Sequence, residues 1–88
     1  MFEWDEAKRL RIIHERGLDF RDAEQIFDGR PVIHAPSRRE NESRFVSTAE
    51  IHGKLYTVVW TWRRSNQRII SFRRARDAEE RAYRQVHG

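Results

Sequence analysis

Residues 44–63 contain the feature that most restricts the fold, namely two extended segments joined by a two-residue turn. The segment Lys54 to Arg63 places large side chains on both of its sides, which is typical of a strand in the middle of a sheet. His52-Gly53, directly before it, is suited to a two-residue hairpin loop. The sequence therefore predicts a β-hairpin from Arg44 to Ile51 and from Lys54 to Arg63.

Two short helices are predicted before the hairpin, and each starts at an aspartate that can cap it. Asp5 precedes the first helix, which ends at Gly17. Its expected inner face consists of residues at helical spacing: Ala7, Leu10, Ile13 and His14. Asp19 precedes the second helix, which Gly29 and Pro31 bring to an end. The apolar stripe of the second helix has similar spacing: Phe20, Ala23, Ile26 and Phe27.

Further extended segments and a third helix complete the predicted order of elements. Pro31 to Ala35 could form an edge strand, where proline is tolerated. Ser37 to Ser43 is polar and charged, which favours a mobile loop. Ser65-Asn66-Gln67 predicts a turn before a strand from Arg68 to Arg73, and helical spacing returns at Asp77.

Length and composition agree with one folded domain over residues 1–88. We predict an α+β fold with two N-terminal helices, a three- to four-stranded antiparallel sheet and a C-terminal helix. Ten aromatic residues can fill its core, since each buries roughly 150–250 Å². No cysteine is available for disulfides or thiolate metal sites. No segment resembles a signal peptide or a membrane span, so we expect a soluble cytoplasmic protein.

Charge is divided unequally along the chain. Residues 1–28 hold five Lys/Arg and eight Asp/Glu, a net charge of −3, whereas residues 29–88 hold thirteen and six, a net charge of +7. Sixteen of the eighteen basic residues are arginines, whose planar guanidinium group suits phosphate, although GC-rich codon usage would produce the same ratio. The asymmetry indicates an acidic and a basic face, and therefore two different partners.

The densest basic cluster is Arg68-Ile-Ile-Ser-Phe-Arg73-Arg74-Ala-Arg76, at the end of a predicted strand. In a regular strand Arg68 and Arg73 lie on opposite faces, but a bulge could bring them together. With Arg63 they could then surround one phosphate and stabilise the charge of a phosphoryl-transfer transition state. A solvated strand edge with internal ion pairs to the glutamates of the following helix would have the same sequence.

Three other groups of residues admit two interpretations each. Glu79 and Tyr83, at i and i+4 on the last helix, could position substrate or carry protons, or could orient an arginine and pack on the sheet. Trp60 and Trp62 could stack RNA bases if exposed, or fill the core. His14 could be a general base or an ordinary helix residue. The four histidines are scattered singly and are not spaced for metal binding: His14, His34, His52 and His87.

Four blocks of the sequence resemble BrnT-type toxins, the ribonuclease components of bacterial type II toxin–antitoxin systems. In chain order they are Phe2-Glu-Trp4-Asp5…Lys8, Gly17-Leu-Asp-Phe20…Ala23…Ile26-Phe27, Val59-Trp60-Thr61-x-Arg63 and Arg68-Ile-Ile-Ser71-x-Arg73-Arg74-Ala75…Glu79…Tyr83. The resemblance implies a RelE-like fold, cleavage of RNA and inhibition of translation. It also implies a hetero-oligomer with a ribbon-helix-helix antitoxin, which supplies the DNA binding of the complex.

The resemblance and the arginine cluster together predict the site. The predicted catalytic residues are Arg63, Arg73, Glu79 and Tyr83. The predicted RNA-binding residues are Arg64, Arg68, Ser71, Arg74 and Arg76. The sequence departs from the family at Ile12, where asparagine is frequent, and at Glu15-Arg16, where many members have Lys-His. A histidine at position 16 is therefore not available as a general base, and His14 lies on a different part of the helix.

Three functions are compatible with these residues. The first is an endoribonuclease that needs neither metal nor other cofactor, in which the ribose 2′-OH attacks the adjacent phosphate and arginines stabilise the pentacovalent charge. The second is a non-catalytic nucleic-acid-binding or regulatory module, which binds in a salt-dependent manner without cleaving. The third is a protein–protein adaptor whose basic face meets an acidic partner, and an antitoxin could cover the same surface.

Overall fold

The computed structural model describes residues 1–39 and 42–88, and within them it confirms the α+β class. Its helices are α1 (Glu6–Arg16), α2 (Phe20–Ala23, followed by a 3₁₀ turn over Glu24–Phe27) and α3 (Asp77–His87). Its strands are β1 (Phe2–Glu3), β2 (Val32–Arg39), β3 (Glu42–Ile51), β4 (Lys54–Arg63) and β5 (Asn66–Arg74).

The sheet is mixed and has the strand order β1-β5-β4-β3-β2. Strands β2 to β5 pair antiparallel with their neighbours, whereas β1 pairs parallel to β5, with Phe2 opposite Gln67 and Glu3 opposite Arg68. The prediction of a purely antiparallel sheet with three to four strands is therefore wrong. A strand of two residues is too short for alternation to reveal it, and its position depends on contacts with a segment more than sixty residues away.

The β2–β3 hairpin is longer than the sequence predicts. β2 extends from Val32 to Arg39 instead of ending at Ala35, and Ser43 lies within β3. The predicted loop Ser37 to Ser43 is therefore wrong at both of its ends, and its residues 40 and 41 lie outside the described residues. Cross-strand pairing extends this far because β2 is the outermost strand, and charged side chains are tolerated at a sheet edge.

The two tight turns of the sheet involve unusual backbone conformations. The predicted turn at His52-Gly53 is confirmed, and both residues have positive φ angles, 50° and 81°. The turn between β4 and β5 consists of Arg64 and Ser65, one residue earlier than predicted, and Arg64 has φ 58°. This hairpin turn exposes the Arg64 side chain next to the end of β4.

The caps predicted for the N-terminal helices are confirmed. The Asp5 side chain accepts a hydrogen bond from the backbone N–H of Lys8, and the Asp19 side chain accepts one from that of Arg21. Gly17 ends α1 in the left-handed region at φ 69°, and its N–H donates to the carbonyl oxygen of Ile13.

The inner face predicted for α1 is wrong. Leu10 is exposed, as are Ala7 and His14, and the buried residues of the helix are Arg9 and Ile12. Two carboxylates offset the cost of burying the Arg9 charge. Arg9 Nε donates to Asp19 Oδ1 at 2.8 Å, and Arg9 Nη1 donates to Glu6 Oε2 at 2.8 Å. The spacing of apolar residues cannot predict the burial of an arginine, because that burial depends on the two carboxylates that neutralise its charge.

The hydrophobic core joins the N-terminal helices to one face of the sheet. The core side chains are Ile12, Phe20, Ala23, Ile26, Ala49, Ile51, Val58, Trp60, Ile69 and Phe72. Side chains alternate along β4, so Thr57, the neighbour of Val58, lies on the opposite face. There Thr57 Oγ1 donates to Glu79 Oε1 of α3 at 3.0 Å. Helix α3 therefore contacts the face that the N-terminal helices leave uncovered.

Candidate functional site

A β-bulge at Ile70 determines the face on which each arginine of β5 lies. Val59 pairs with Ser71 but Trp60 pairs with Ile69, so Ile70 has no partner on β4. One extra residue shifts the alternation of a strand by one position. As a result, side chains before and after the bulge that would otherwise point in opposite directions share a face.

Four of the predicted site residues lie on this shared face, which we call the arginine face: Arg63, Arg68, Ser71 and Arg73. Arg68 is opposite Thr61, Ser71 is opposite Val59 and Arg73 is opposite Thr57, and these three β4 residues alternate with the core residues of that strand. Arg63 follows Thr61 at the same spacing. The bulge therefore provides the arrangement that a regular strand would prevent.

Three other predicted site residues lie elsewhere. Arg74 is opposite Tyr56, on the other face, where its guanidinium carbon lies 5.4 Å from the centre of the Tyr56 ring. Arg64 is exposed in the β4–β5 turn, and Arg76 is exposed at the start of α3. The structure thus separates Arg74 from the arginine face and leaves Arg64 and Arg76 at its two ends.

Glu79 holds Arg73 in what we call the helix-end pair. Arg73 Nη1 donates to Glu79 Oε1 at 2.7 Å, and Arg73 Nη2 donates to Oε2 at 2.8 Å, which is bidentate geometry. Glu79 Oε1 also accepts from Thr57 Oγ1 and from the backbone N–H of Arg76 at 2.8 Å. The hydrogen bonds from Arg73 are the main cause that lowers the pKa of Glu79 to about 2, with help from Arg76 and Thr57 and against the effect of burial.

Glu3 holds Arg68 in a second pair, which we call the hairpin-end pair. Arg68 Nη1 donates to Glu3 Oε2 at 2.7 Å, and Asn66 Nδ2 donates to Glu3 Oε1 at 3.0 Å. These two bonds, that from Asn66 first, lower the pKa of Glu3. Arg63 is held less closely, because its Nη1 lies 4.0 Å from Glu3 Oε2 and 62% of its side chain is exposed. Its guanidinium group is therefore open to a ligand.

An open groove, the basic groove, adjoins the hairpin-end pair. Its lining brings together four cationic side chains and one aromatic ring, Lys8, Arg44, Arg63, Arg68 and Trp62, beside Thr61 and the carboxylates Asp5 and Glu42. Burial lowers the pKa of Lys8, and the positive charges of Arg11, Arg44 and Arg16 lower it further. Such a concentration of cations next to a ring is suited to a nucleic-acid strand.

Lys8 and Arg44 were not among the residues predicted for the site. Lys8 belongs to the first sequence block that resembles the BrnT family, but it lies some sixty residues from the arginine cluster. Arg44 is the first residue of the predicted hairpin strand, and no sequence pattern connects it with the arginine cluster. Its Nη2 lies 3.3 Å from Glu42 Oε2, and its buried Nε has no hydrogen-bond partner within the described part of the chain. Only the closeness of α1, β3 and β5 in space reveals these two residues.

The two tryptophans of β4 have different environments. Trp60 is buried, whereas 55% of Trp62 is exposed. The core interpretation is thus correct for Trp60, whereas Trp62 has the exposure that base stacking requires. Tyr83 is the buried residue of α3, and the centre of its ring lies 5.0 Å from that of His87. Burial of this ring agrees with a packing role for Tyr83.

Arg16 of α1 also reaches β5. Its Nη1 donates to the carbonyl oxygen of Phe72 at 3.1 Å and lies 3.4 Å from Ser71 Oγ. His14 is exposed on the same helix, and His34 Nδ1 lies 2.6 Å from Ser47 Oγ on β3. Within residues 1–39 and 42–88, no three His, Asp or Glu side chains form a group that could hold a metal ion.

Comparison with protein families adds a decisive observation. Residues 4–79 match the model of a family described as "Ribonuclease toxin, BrnT, of type II toxin-antitoxin system". The chain belongs to the BrnT family. This confirms the resemblance seen in the sequence, and the matched range includes the lining of the basic groove and the helix-end pair, whereas Glu3 of the hairpin-end pair lies one residue before it. None of the curated proteins compared with this BrnT chain matches it significantly.

Membership of the BrnT family has one further consequence. A toxin of a type II system is paired with an antitoxin, so a protein partner is implied for this chain. Among the residues that the structure describes, no helix is long and apolar enough to cross a membrane.

Proposed function

We propose that this BrnT-family protein is an endoribonuclease that cleaves RNA without a metal ion and thereby inhibits translation. The observation that supports the proposal most directly is the presence of Arg63, Arg68 and Arg73 on one sheet face, where the bulge at Ile70 brings Arg68 and Arg73 of β5 to the same side. Several guanidinium groups converging on one surface can bind a phosphate and stabilise the extra negative charge of its transition state. The family match supplies the reaction class.

RNA would bind along the basic groove and continue over the arginine face. Arg63 is largely exposed and would meet a phosphate first, while Arg68 would exchange its contact with Glu3 for a contact with the phosphate. Arg64 and Arg76, exposed at the two ends, would contact the strand on either side. Ser71 lies between Arg68 and Arg73 and can offer a hydroxyl hydrogen bond. Arg74, on the opposite face, has no place in this arrangement.

The chemical step is attack of the ribose 2′-oxygen on the adjacent phosphorus. The bond to the 5′-oxygen breaks, which leaves a 2′,3′-cyclic phosphate and a 5′-hydroxyl, so no external water is consumed. The 2′-hydroxyl loses one proton and the leaving 5′-oxygen gains one. Arg63, with Arg68 beside it, would stabilise the pentacovalent phosphorane, since an arginine remains charged throughout the reaction. Arg73 is opposite Thr57, six residues from Arg63 along β4, so it would contact a neighbouring phosphate of the RNA strand.

We assign Glu79 a positioning role. A carboxylate whose pKa is about 2 is a weak base, and both of its oxygens already accept hydrogen bonds. Its bidentate contact with Arg73 holds that guanidinium group in one orientation. For Tyr83, burial of the ring supports packing of α3 on the sheet, so the Tyr83→Phe variant should cleave RNA at close to the wild-type rate.

The partner implied by the family would be a ribbon-helix-helix antitoxin that neutralises the toxin by covering the arginine face and groove. Residues 29–88 carry a net charge of +7, with thirteen Lys/Arg against six Asp/Glu, so an acidic antitoxin segment would be attracted to the same surface as RNA. DNA would be bound by the antitoxin part of the hetero-oligomeric complex.

The test is incubation of the purified protein with single-stranded RNA, with and without EDTA, followed by analysis of the product ends. We expect cyclic phosphate ends and a rate that EDTA does not change. Arg63→Ala should lower the rate about 100-fold or more, which is the usual effect of removing one group that stabilises transition-state charge. Arg21→Ala, which removes an exposed arginine from α2, is the matched control.

Two other outcomes would contradict parts of the proposal. Cleavage that EDTA abolishes would overturn metal independence. Salt-dependent binding of RNA with no cleavage, also in the presence of ribosomes, would identify the alternative, a non-catalytic nucleic-acid-binding or regulatory module. Addition of the cognate antitoxin should stop cleavage at equal concentrations of the two proteins.

A further inference from the structure

Trp62 is an unusual side chain in this molecule. It is exposed to 55%, whereas every other aromatic side chain within residues 1–39 and 42–88 is buried or half-buried, apart from exposed histidines. A single exposed apolar residue is common on protein surfaces and needs no function. The position of Trp62 is more informative than its exposure, because the ring lines the basic groove together with Lys8, Arg44, Arg63 and Arg68.

The Trp62 ring is supported from below by a rigid stack. Its centre lies 5.3 Å from that of Trp60, and the two rings are nearly perpendicular, at 81°. Trp60 itself stacks on Phe45 at 4.8 Å and donates its Nε1–H to Ser47 Oγ at 2.8 Å. A ring held on a central strand by a buried neighbour loses little freedom when it binds a ligand. Trp62 is therefore preorganised.

We propose that Trp62 is the stacking platform for an unpaired base, so that the preferred substrate is single-stranded RNA. This inference rests on the proposed function and names its substrate class. A base offers a flat apolar face to the ring while the adjacent phosphates meet Arg63, Arg68 and Lys8. In double-stranded RNA the bases are stacked on each other and their faces are not available. The combination of one ring with several surrounding cations thus selects an open strand.

The main competing occupant of the groove is an antitoxin segment. The lining of the groove favours RNA. Four cations around one ring match the alternation of charge and aromatic surface in a nucleotide strand. An apolar anchor of a protein partner would instead need a pocket with few charges around it.

The test uses oligonucleotides with 2′-O-methyl riboses, which keep the bases and phosphates but do not offer a 2′-hydroxyl for cleavage. Binding is measured by fluorescence anisotropy for wild type, Trp62→Ala and Trp62→Phe, and circular dichroism confirms that each variant is folded. We expect Trp62→Ala to weaken binding of the single strand roughly 5- to 150-fold, the range for loss of one stacked base. Trp62→Phe should stay within about threefold of wild type, because a phenyl ring still stacks.

Three comparisons separate stacking from charge. Binding of the same sequence in a duplex should be nearly equal for wild type and Trp62→Ala. The slope of log affinity against log salt should also be equal for these two proteins, whereas Arg63→Ala should make it shallower by about 0.7 through loss of one phosphate contact. The third comparison uses oligonucleotides with a single abasic residue, placed at each position in turn. For wild type, one of these positions should weaken binding as much as Trp62→Ala does. For Trp62→Ala, the abasic residue at that position should cause no further loss of affinity.

Failure of this inference differs from failure of the proposed function. If Trp62→Ala binds the single strand as tightly as wild type while Arg63→Ala binds weakly, the stacking platform is wrong and RNA binding stands. If Trp62→Ala keeps RNA affinity but loses affinity for the antitoxin, the ring belongs to the protein interface, and the inference is overturned. If neither variant changes RNA affinity and no RNA is cleaved, the proposed function itself fails.

Discussion

The hairpin-end pair and the helix-end pair consist of the same two residue types, yet their surroundings differ. In the helix-end pair, 16% of the Arg73 side chain and 20% of the Glu79 side chain are exposed, and the carboxylate accepts hydrogen bonds from three residues. In the hairpin-end pair the exposed fractions are 29% for Arg68 and 27% for Glu3, and the basic groove lies alongside.

This difference shows how one sheet face can hold a rigid ion pair at one end and an accessible arginine at the other. Glu79 ties β4, β5 and the start of α3 together, so the helix-end pair connects tertiary elements. Glu3 comes from a two-residue strand, and beside it Arg63 remains open. In the proposed function a phosphate replaces Glu3 at Arg68, and we expect this exchange to cost less than breaking the helix-end pair, because the Arg68–Glu3 pair is more open to water. We therefore regard the helix-end pair as the fixed part of the site and the hairpin-end pair as its exchangeable part.

The largest expected effect that distinguishes the pairs is on stability. Glu79→Ala removes the carboxylate that accepts hydrogen bonds from Arg73, from Thr57 and from the backbone N–H of Arg76, and leaves the part-buried charge of Arg73 without its counter-charge. Breaking a fully buried pair costs about 3–5 kcal/mol, and since about a fifth of Glu79 is exposed we expect a loss of about 2 kcal/mol in the free energy of unfolding. Urea unfolding followed by circular dichroism measures it. Glu3→Ala is the matched control and should destabilise clearly less; an equal loss would contradict the distinction.

An intermediate effect is expected at acidic pH. The folded pKa of Glu79 lies at about 2, below the ordinary value of 4.5, so the unfolded chain binds a proton at Glu79 before the folded chain does. The stabilisation is complete above about pH 4.5 and is lost as the pH falls from there toward 2. Glu79→Gln should therefore lose less stability than wild type over this range. Unfolding measured at several pH values between 5 and 2.5 checks the slope, and equal slopes would show that Glu79 is not held by Arg73 in solution.

The smallest expected effect concerns RNA binding at the hairpin-end pair. Glu3→Gln removes the negative charge that competes with phosphate for Arg68 and Arg63. We expect single-stranded RNA to bind about two- to fivefold more tightly, with a salt dependence steeper by about 0.7 for one additional phosphate contact. Anisotropy titrations at several salt concentrations measure both values. Unchanged or weaker binding would mean that Glu3 positions Arg68 for RNA instead of competing with it.

Local features of the fold could be predicted because they depend on residues close in the chain. The caps Asp5 and Asp19 lie three and two residues from the N–H groups that they accept from, and the His52-Gly53 turn lies between two alternating segments. Features that depend on remote partners were missed. Arg9 is buried only because Asp19 reaches it, and β1 exists only because β5 passes beside it.

The candidate site could be predicted only in part, again because some of its features depend on residues far apart in the chain. Arg63, Arg68, Ser71 and Arg73 stand out in the sequence, but whether they share a face depends on a single unpaired residue, Ile70. Lys8 and Arg44 gave no signal, since only the packing of α1 and β3 brings them to the groove. The different environments of Trp60 and Trp62 were equally invisible, because both occupy the same side of an alternating strand.

The sequence by itself determined the α+β class, the central hairpin, the helix caps and the family, since each is expressed in short motifs and their order along the chain. Only the tertiary structure decided which arginines are held by carboxylates and which is open. Glu3 and Arg68 are 65 residues apart, and their contact arises when β1 aligns with β5. The alternation rule assigns faces only while a strand remains regular. The bulge at Ile70 shifts the alternation and thereby places Arg68 and Arg73 of β5 on a common surface.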